Sequence, residues 1–166
     1  MIAATIQFVL SNIPSILFVL AIVIAFMRSN PQPASYRYLS WLLLVAVGAN
    51  MLWAGLFHLF LPKIAAAFIG WQVSPFQFEI GVADTAMGVV AVVSFWRGLE
   101  YKAAVVLYVV LFYIGVAVGH VREAVTADNF SPGNFGMLLL LTVVQIVLLT
   151  WLLMRARREM PAAAHG

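Results

Sequence analysis

Long apolar runs, separated by short polar or proline-containing segments, occupy most of the chain. A helix that crosses a membrane needs roughly 20 predominantly apolar residues. Five segments meet this requirement, at about residues 6–27, 38–61, 75–96, 103–121 and 135–154. The pattern therefore predicts an all-α integral membrane protein, in which about five transmembrane helices form a single helical bundle over residues 1–166.

The connection between the second and third spans carries two further signals. The apolar segment 64–73 is too short to cross, so we expect it to be interfacial or re-entrant, leading to Trp71 at headgroup depth. The run Ser74-Pro75-Phe76-Gln77 has the form of a capping box with proline at the first helical position. We therefore expect the third span to begin here, with Gln77 bonding back to Ser74.

The composition agrees with this interpretation and excludes several kinds of chemistry. Only 9% of the residues are charged, whereas a soluble domain carries roughly 25%. Lipid must therefore surround most of the surface. The chain has no cysteine, which excludes disulfides, thiolate metal sites and cysteine nucleophiles. No basic tract with interleaved aromatic residues occurs, so nucleic acid is not an expected partner.

The basic residues between the spans predict the orientation of the bundle. Seven of them fall on one side: Arg28, Arg37, Arg97, Lys102, Arg155, Arg157 and Arg158. Only Lys63 and Arg122 fall on the other. Because basic residues are enriched in cytoplasmic loops, the first group is expected in the cytoplasm. This places the N-terminus outside and the C-terminus in the cytoplasm.

The uncommon polar residues gather on the predicted outer side. His58 closes the second span there, Glu79 opens the third, and His120 and Glu123 end the fourth. The polar loop 128–134 lies on the same side. The inner half is expected to contain almost nothing comparable. If the protein has an active site, this asymmetry predicts that it opens outward.

Asp84 is the most informative of these residues, because a carboxylate within a span usually faces the bundle interior or a wet cavity. It shares a helical stripe with mostly small residues: Gln77, Gly81, Gly88 and Ala91. Small residues allow close helix approach, so the stripe and Asp84 are expected to face inward. Asp84 either fixes helix packing, with Asn50 or Gln145 as partner, or serves in binding, proton transfer or catalysis.

The remaining candidates suggest a cofactor or an acid–base pair. His120 and Glu123 are three residues apart and share a helix face, a spacing found in metal sites on bundle helices. With His58 they could bind a divalent metal such as zinc, iron or manganese. Alternatively, they are ordinary interfacial residues, or the two histidines are axial ligands of a haem. Asp84 and Glu79 are candidate catalytic carboxyl groups, although Glu79 would equally stabilise the start of its helix.

The stretch Ser74-Pro75-Phe76-Gln77-Phe78-Glu79-Ile80-Gly81-Val82-Ala83-Asp84 resembles a segment of uncharacterised small bacterial polytopic membrane proteins of unknown function. The resemblance extends from about the second span to the fifth. It implies a multi-pass protein of the bacterial inner (plasma) membrane, and it implies no particular activity.

Three functions remain open from the sequence. The first is a membrane enzyme or metal-binding protein whose outward-facing pocket receives a lipidic or apolar small molecule. The second is a proton- or cation-coupled transporter that uses Asp84. The third is an accessory subunit of a membrane complex. A homo-oligomer is also possible, since Gly115 and Gly119 form a GxxxG motif, although this motif is weakly specific.

Overall fold

A computed structural model describes residues 12–28 and 31–160, and all regular elements in this part of the chain are helices. They are α1 (Ile13–Met27), α2 (Ala34–Phe60), α3 (Pro62–Ile69), α4 (Phe76–Ser94), α5 (Leu99–Thr126) and α6 (Met137–Glu159). We call the end where α2 begins and α6 finishes the basic end. The opposite end, which carries α3, is the distal end.

The helices confirm a membrane-spanning bundle. By length and composition, α2, α4, α5 and α6 can each cross a membrane, and α1 is a shorter apolar helix. The predicted first span also included residues 6–11, which lie outside the described residues. Helix α5 corresponds to the predicted fourth span, 103–121. It is longer than predicted, because about one polar turn extends it at each end. At 1.5 Å per residue α5 measures about 42 Å, which exceeds a hydrocarbon core of roughly 30 Å.

The short connection after α2, which was predicted to be interfacial or re-entrant, is helical. Helix α3 has eight residues, too few to cross a membrane. It ends at Gly70, whose φ of 72° is left-handed and therefore favours glycine. Trp71 follows immediately and is exposed for 40% of its surface. The turn thus brings an aromatic side chain to the distal end of the bundle.

Glycines allow α2 and α4 to approach closely along the middle of the bundle. A Cβ atom added to Gly88 would lie 2.7 Å from the backbone nitrogen of Leu52 and 3.0 Å from the carbonyl oxygen of Gly48. One added to Gly48 would lie 2.7 Å from a methyl group of Val92. The expectation that the glycine-containing face of α4 packs inward is therefore confirmed.

Helix α2 changes its hydrogen-bond pattern within the membrane. Residues Leu42–Ala49 form a π-helical segment between two α-helical segments. A π turn is wider than an α turn, so the faces of the two flanking segments are no longer in helical phase. The segment packs against α1 and α4, with Leu43 and Val47 fully buried. The widened turns are thus held inside the core.

The predicted capping box does not form. Pro75 precedes the first residue of α4, and no side chain caps the helix. Ser74 contributes only its carbonyl, which accepts the backbone N–H of Gln77 at 3.0 Å. The Gln77 amide nitrogen instead donates to the carbonyl of Pro62 at 2.7 Å and lies 3.2 Å from Nδ1 of His58. This side chain turns away because the α2–α3 junction packs against the first turn of α4 and offers it buried partners.

Candidate functional site

Asp84 lies in the interior of the bundle, as its helical stripe predicted. Its position is about 12 Å along α4 from Phe76, at 1.5 Å per residue. The side chain is 5% exposed, and no hydrogen bond among the described residues involves its carboxyl group. The proposed pairing with Asn50 or Gln145 is therefore not observed there. A buried carboxyl group without a partner is costly, which marks this position as unusual.

Two further buried polar atoms lie on α5 and α6. The hydroxyl group of Tyr113 on α5 and Oε1 of Gln145 on α6 have no hydrogen-bond partner among the described residues. Tyr113 is 3% exposed and close enough to Asp84 for the carboxyl group to act on it electrostatically. Most buried polar atoms in proteins are paired, so these two need an explanation. We call Asp84 and Tyr113 the central cluster.

A second polar group closes the distal end around Asn134. Its side-chain oxygen lies 2.7 Å from Nδ1 of His120 and accepts the indole N–H of Trp71 at 3.2 Å. Because that oxygen can only accept, the histidine Nδ1 must donate. The amide nitrogen of Asn134 donates to the carbonyls of His120 and Asn129. Asn134 is fully buried, so the network fixes the α5–α6 loop against the bundle.

The same loop binds the end of α3. The carbonyl of Ile69 accepts the side-chain amide of Asn129 and the hydroxyl of Ser131, each at 3.0 Å. These contacts fasten loop 128–134 to a helix terminus whose last carbonyls need donors. We call the contacts made by Trp71, His120, Asn129, Ser131 and Asn134 the distal closure.

The basic end contains a buried cation, in a half that was expected to contain almost nothing comparable to the outer polar residues. Lys102 is fully buried, and its ammonium group donates to the carbonyls of Ser94 and Phe95. It also lies 5.1 Å from the centre of the Tyr36 ring. These carbonyls belong to the last turn of α4, where a cation is favoured by the helix dipole. Lys102 therefore joins α5 to the end of α4.

A model of a protein family of unknown function, DUF6790, matches residues 11–162 of the chain. The chain belongs to this family. The match confirms the resemblance to uncharacterised membrane proteins and extends it to the first helix. No curated protein and no solved structure matches the chain. Because the DUF6790 family has no known function, the interpretation of the site rests on its geometry.

The predicted metal ligands are not brought together in this DUF6790 protein. No three histidine, aspartate or glutamate side chains in the described part of the chain form a group that could hold a metal ion. His58 and His120 instead lie beside the amide groups of Gln77 and Asn134. His58 lies on α2, whereas His120 and Glu123 lie on α5, so the predicted metal site formed by these three residues has no support in the described part of the chain. The haem alternative remains untested.

The two candidate catalytic carboxyl groups point in different directions. Glu79 is exposed on α4, whereas Asp84 is buried. Five residues correspond to a rotation of about 140° around a helix, which separates the two faces. Two cavities of about 190 and 180 Å³ occur at the two ends of the bundle, and none of the five predicted site residues lines either one. A catalytic role for this pair stays a prediction.

Proposed function

We propose that this multi-pass membrane protein binds a proton or a monovalent cation at Asp84 and uses that site in coupled transport. The supporting observation is the buried carboxyl group that has no hydrogen-bond partner among the described residues. An isolated carboxylate inside a bundle is strongly disfavoured, so it takes up a proton or a counter-ion. Intramembrane carboxyl groups of this kind mark proton relays and ion pathways.

The central cluster offers suitable chemistry for either ligand. Tyr113 supplies a hydroxyl oxygen that has no protein partner in the described part of the chain. A proton on Asp84 could be shared with such oxygens, and a hard cation prefers oxygen ligands. The proposal gives a role to two buried groups, Asp84 and Tyr113, that packing alone leaves unexplained.

Buried polar side chains at other depths support a route to the site. Gln77 and Asn134 lie towards the distal end, and Asn50 lies within α2, near the middle of the bundle. Ser94 and Lys102 lie at the basic end. A carrier needs polar groups on both sides of its central site, so this distribution suits transport better than a pocket open at one end.

Purified protein in liposomes containing a pH-sensitive dye would test the proposal. An imposed sodium gradient or membrane potential should produce a pH change that empty liposomes do not show. Asp84→Asn should abolish the change, because an amide cannot bind a proton and carries no charge. Glu79→Gln is the matched control, since Glu79 is an exposed carboxyl group on the same helix. Equal activity in the wild type and Asp84→Asn would overturn the proposal.

Infrared spectroscopy supplies a second test that needs no knowledge of the substrate. The carbonyl stretch of a protonated carboxyl group should appear or disappear as pH or sodium concentration changes. This band should be lost in Asp84→Asn and retained in Glu79→Gln. A band that does not respond to pH or cations would favour the accessory-subunit alternative, in which Asp84 has a structural role.

A further inference from the structure

The cavity at the basic end has the composition of an anion-binding site. It has a volume of about 190 Å³ and lies between the first turns of α2 and the end of α4. Its lining residues are Tyr36, Arg37, Ser40, Trp41 and Phe95. One wall is aromatic, with the Trp41 and Phe95 rings 4.8 Å apart at an edge-on angle. The cavity therefore combines a cation with rings that suit the boundary between lipid and water.

Arg37 lines this cavity and has hydrogen-bond donors that no described residue uses. Its Nε donates to the carbonyl of Ala25 at 2.9 Å, which holds the guanidinium group in place. No hydrogen bond or ion pair among the described residues uses its terminal nitrogens. An arginine fork of this kind matches the oxygens of a phosphate group.

The acidic residues of the basic end do not neutralise Arg37. The Glu159 carboxylate accepts the Ser35 hydroxyl at 2.5 Å and pairs with Arg155 at 2.7 Å. Glu100 is largely exposed and lies 3.9 Å from Arg157. This end carries seven basic residues against these two acidic ones, so it attracts anions.

We infer that this cavity binds the phosphate group of an anionic phospholipid. The reasons are the free terminal nitrogens of Arg37, the aromatic wall and the excess of positive charge at the end of a membrane bundle. Basic pockets between transmembrane helices recognise anionic headgroups in this way. A lipid also fits the position better than a soluble anion, because the exposed apolar side chains Val89 and Val90 of α4, with Trp96 just after it, would receive its acyl chains.

Native mass spectrometry of the purified full chain in detergent tests the inference. The measured quantity is the apparent dissociation constant for phosphatidylglycerol. Arg37→Gln should weaken binding by about tenfold or more relative to Arg158→Gln, because charge-assisted hydrogen bonds are lost in addition to charge. Arg158 is the matched control, since it is an exposed arginine of the same end that does not line the cavity. Equal weakening in the two variants would mean non-specific attraction and would overturn the inference.

Two further arms distinguish the source of the phosphate and guard against misfolding. Inorganic phosphate at the same concentration should neither bind nor compete, and equal competition by phosphate would overturn the assignment to a lipid. Ser40→Leu should fill the cavity while leaving Arg37 and the net charge unchanged, so it should weaken phosphatidylglycerol binding even if Arg37→Gln does not fold. Unchanged binding in a folded Ser40→Leu variant would also count against the site.

Discussion

Replacing Gly88 by alanine tests whether close contact between α2 and α4 stabilises the bundle. The added methyl group would meet two backbone atoms, the nitrogen of Leu52 at 2.7 Å and the carbonyl oxygen of Gly48 at 3.0 Å. Backbone atoms cannot rotate away as a side chain can, so the helices must separate. Overpacking of this kind typically costs about 1–3 kcal/mol. Alanine simultaneously gains about 1 kcal/mol of helix propensity over glycine.

A matched control removes the propensity effect. Gly115 lies in helix α5, and nothing lies within 4 Å of the position its Cβ would occupy. Gly115→Ala should therefore gain the same propensity without a clash. We expect Gly88→Ala to be less stable than Gly115→Ala by about 1–3 kcal/mol, the overpacking term alone.

Reversible unfolding in mixed micelles, with helix content followed by circular dichroism, measures this difference. Both variants should be compared with the wild type at the same detergent composition and protein concentration. Equal free energies of unfolding for Gly88→Ala and Gly115→Ala would refute the argument that backbone contact between α2 and α4 limits the size of residue 88. A loss of stability in Gly115→Ala relative to the wild type would mean that residue 115 of α5 also makes a close contact.

Three further predictions concern the polar contacts at the two ends, all measured by the same unfolding assay. Asn134→Ala should lose about 1–3 kcal/mol for each buried donor left without a partner, and protease cleavage of the distal loop should accelerate. Lys102→Met should lose about 1–3 kcal/mol because it leaves carbonyls at the end of α4 unsatisfied, whereas the exposed control Lys63→Met should stay within about 0.5 kcal/mol of the wild type. Ser74→Ala should leave the free energy of unfolding nearly unchanged because no capping box forms, whereas Gln77→Leu should clearly lower it. A larger loss for Ser74→Ala than for Gln77→Leu would instead support the predicted capping box.

Hydropathy and helical spacing were sufficient to predict the helical membrane bundle and the inward position of Asp84. Length alone identified the spans, because only a continuous apolar helix satisfies its backbone in lipid. The stripe containing Gly81 and Gly88 was informative because small residues have a direct packing consequence. These inferences depended on local sequence and on the lipid environment, which the composition already indicated.

The polar contacts could not be predicted, because each joins residues that are distant in the sequence. Nothing local indicates that Gln77 turns towards Pro62 or that Asn134 bonds to His120. Lys102 was assigned to the loop between the third and fourth spans, because a lysine near the start of a helix is usually exposed to water. In a membrane helix the residues that face lipid are as apolar as those that face protein. Hydrophobic periodicity therefore could not show that Lys102 lies on the face of α5 that packs against the bundle.

The π-helical segment Leu42–Ala49 had no sequence signal either. A helical wheel assumes a constant rotation of about 100° per residue, so it cannot place the two halves of α2 on a common face across this segment. The angular position of His58 around α2, relative to residues at the start of the helix, therefore could not be predicted from sequence spacing. The prediction of a shared metal site depended on such placement, and the described residues do not support it.

The distal closure and the basic end differ in the chemistry that holds them shut. Imidazole, indole, amide and hydroxyl groups make the distal closure, whereas an ammonium, a guanidinium and a carboxylate take part at the basic end. Charge-assisted hydrogen bonds are roughly twice as strong as neutral ones. Thermal opening should therefore begin at the distal end, and water should first approach Asp84 along about 12 Å of α4 from that side. Amide hydrogen exchange would register this as an asymmetry along each long helix, with the half nearer α3 exchanging faster.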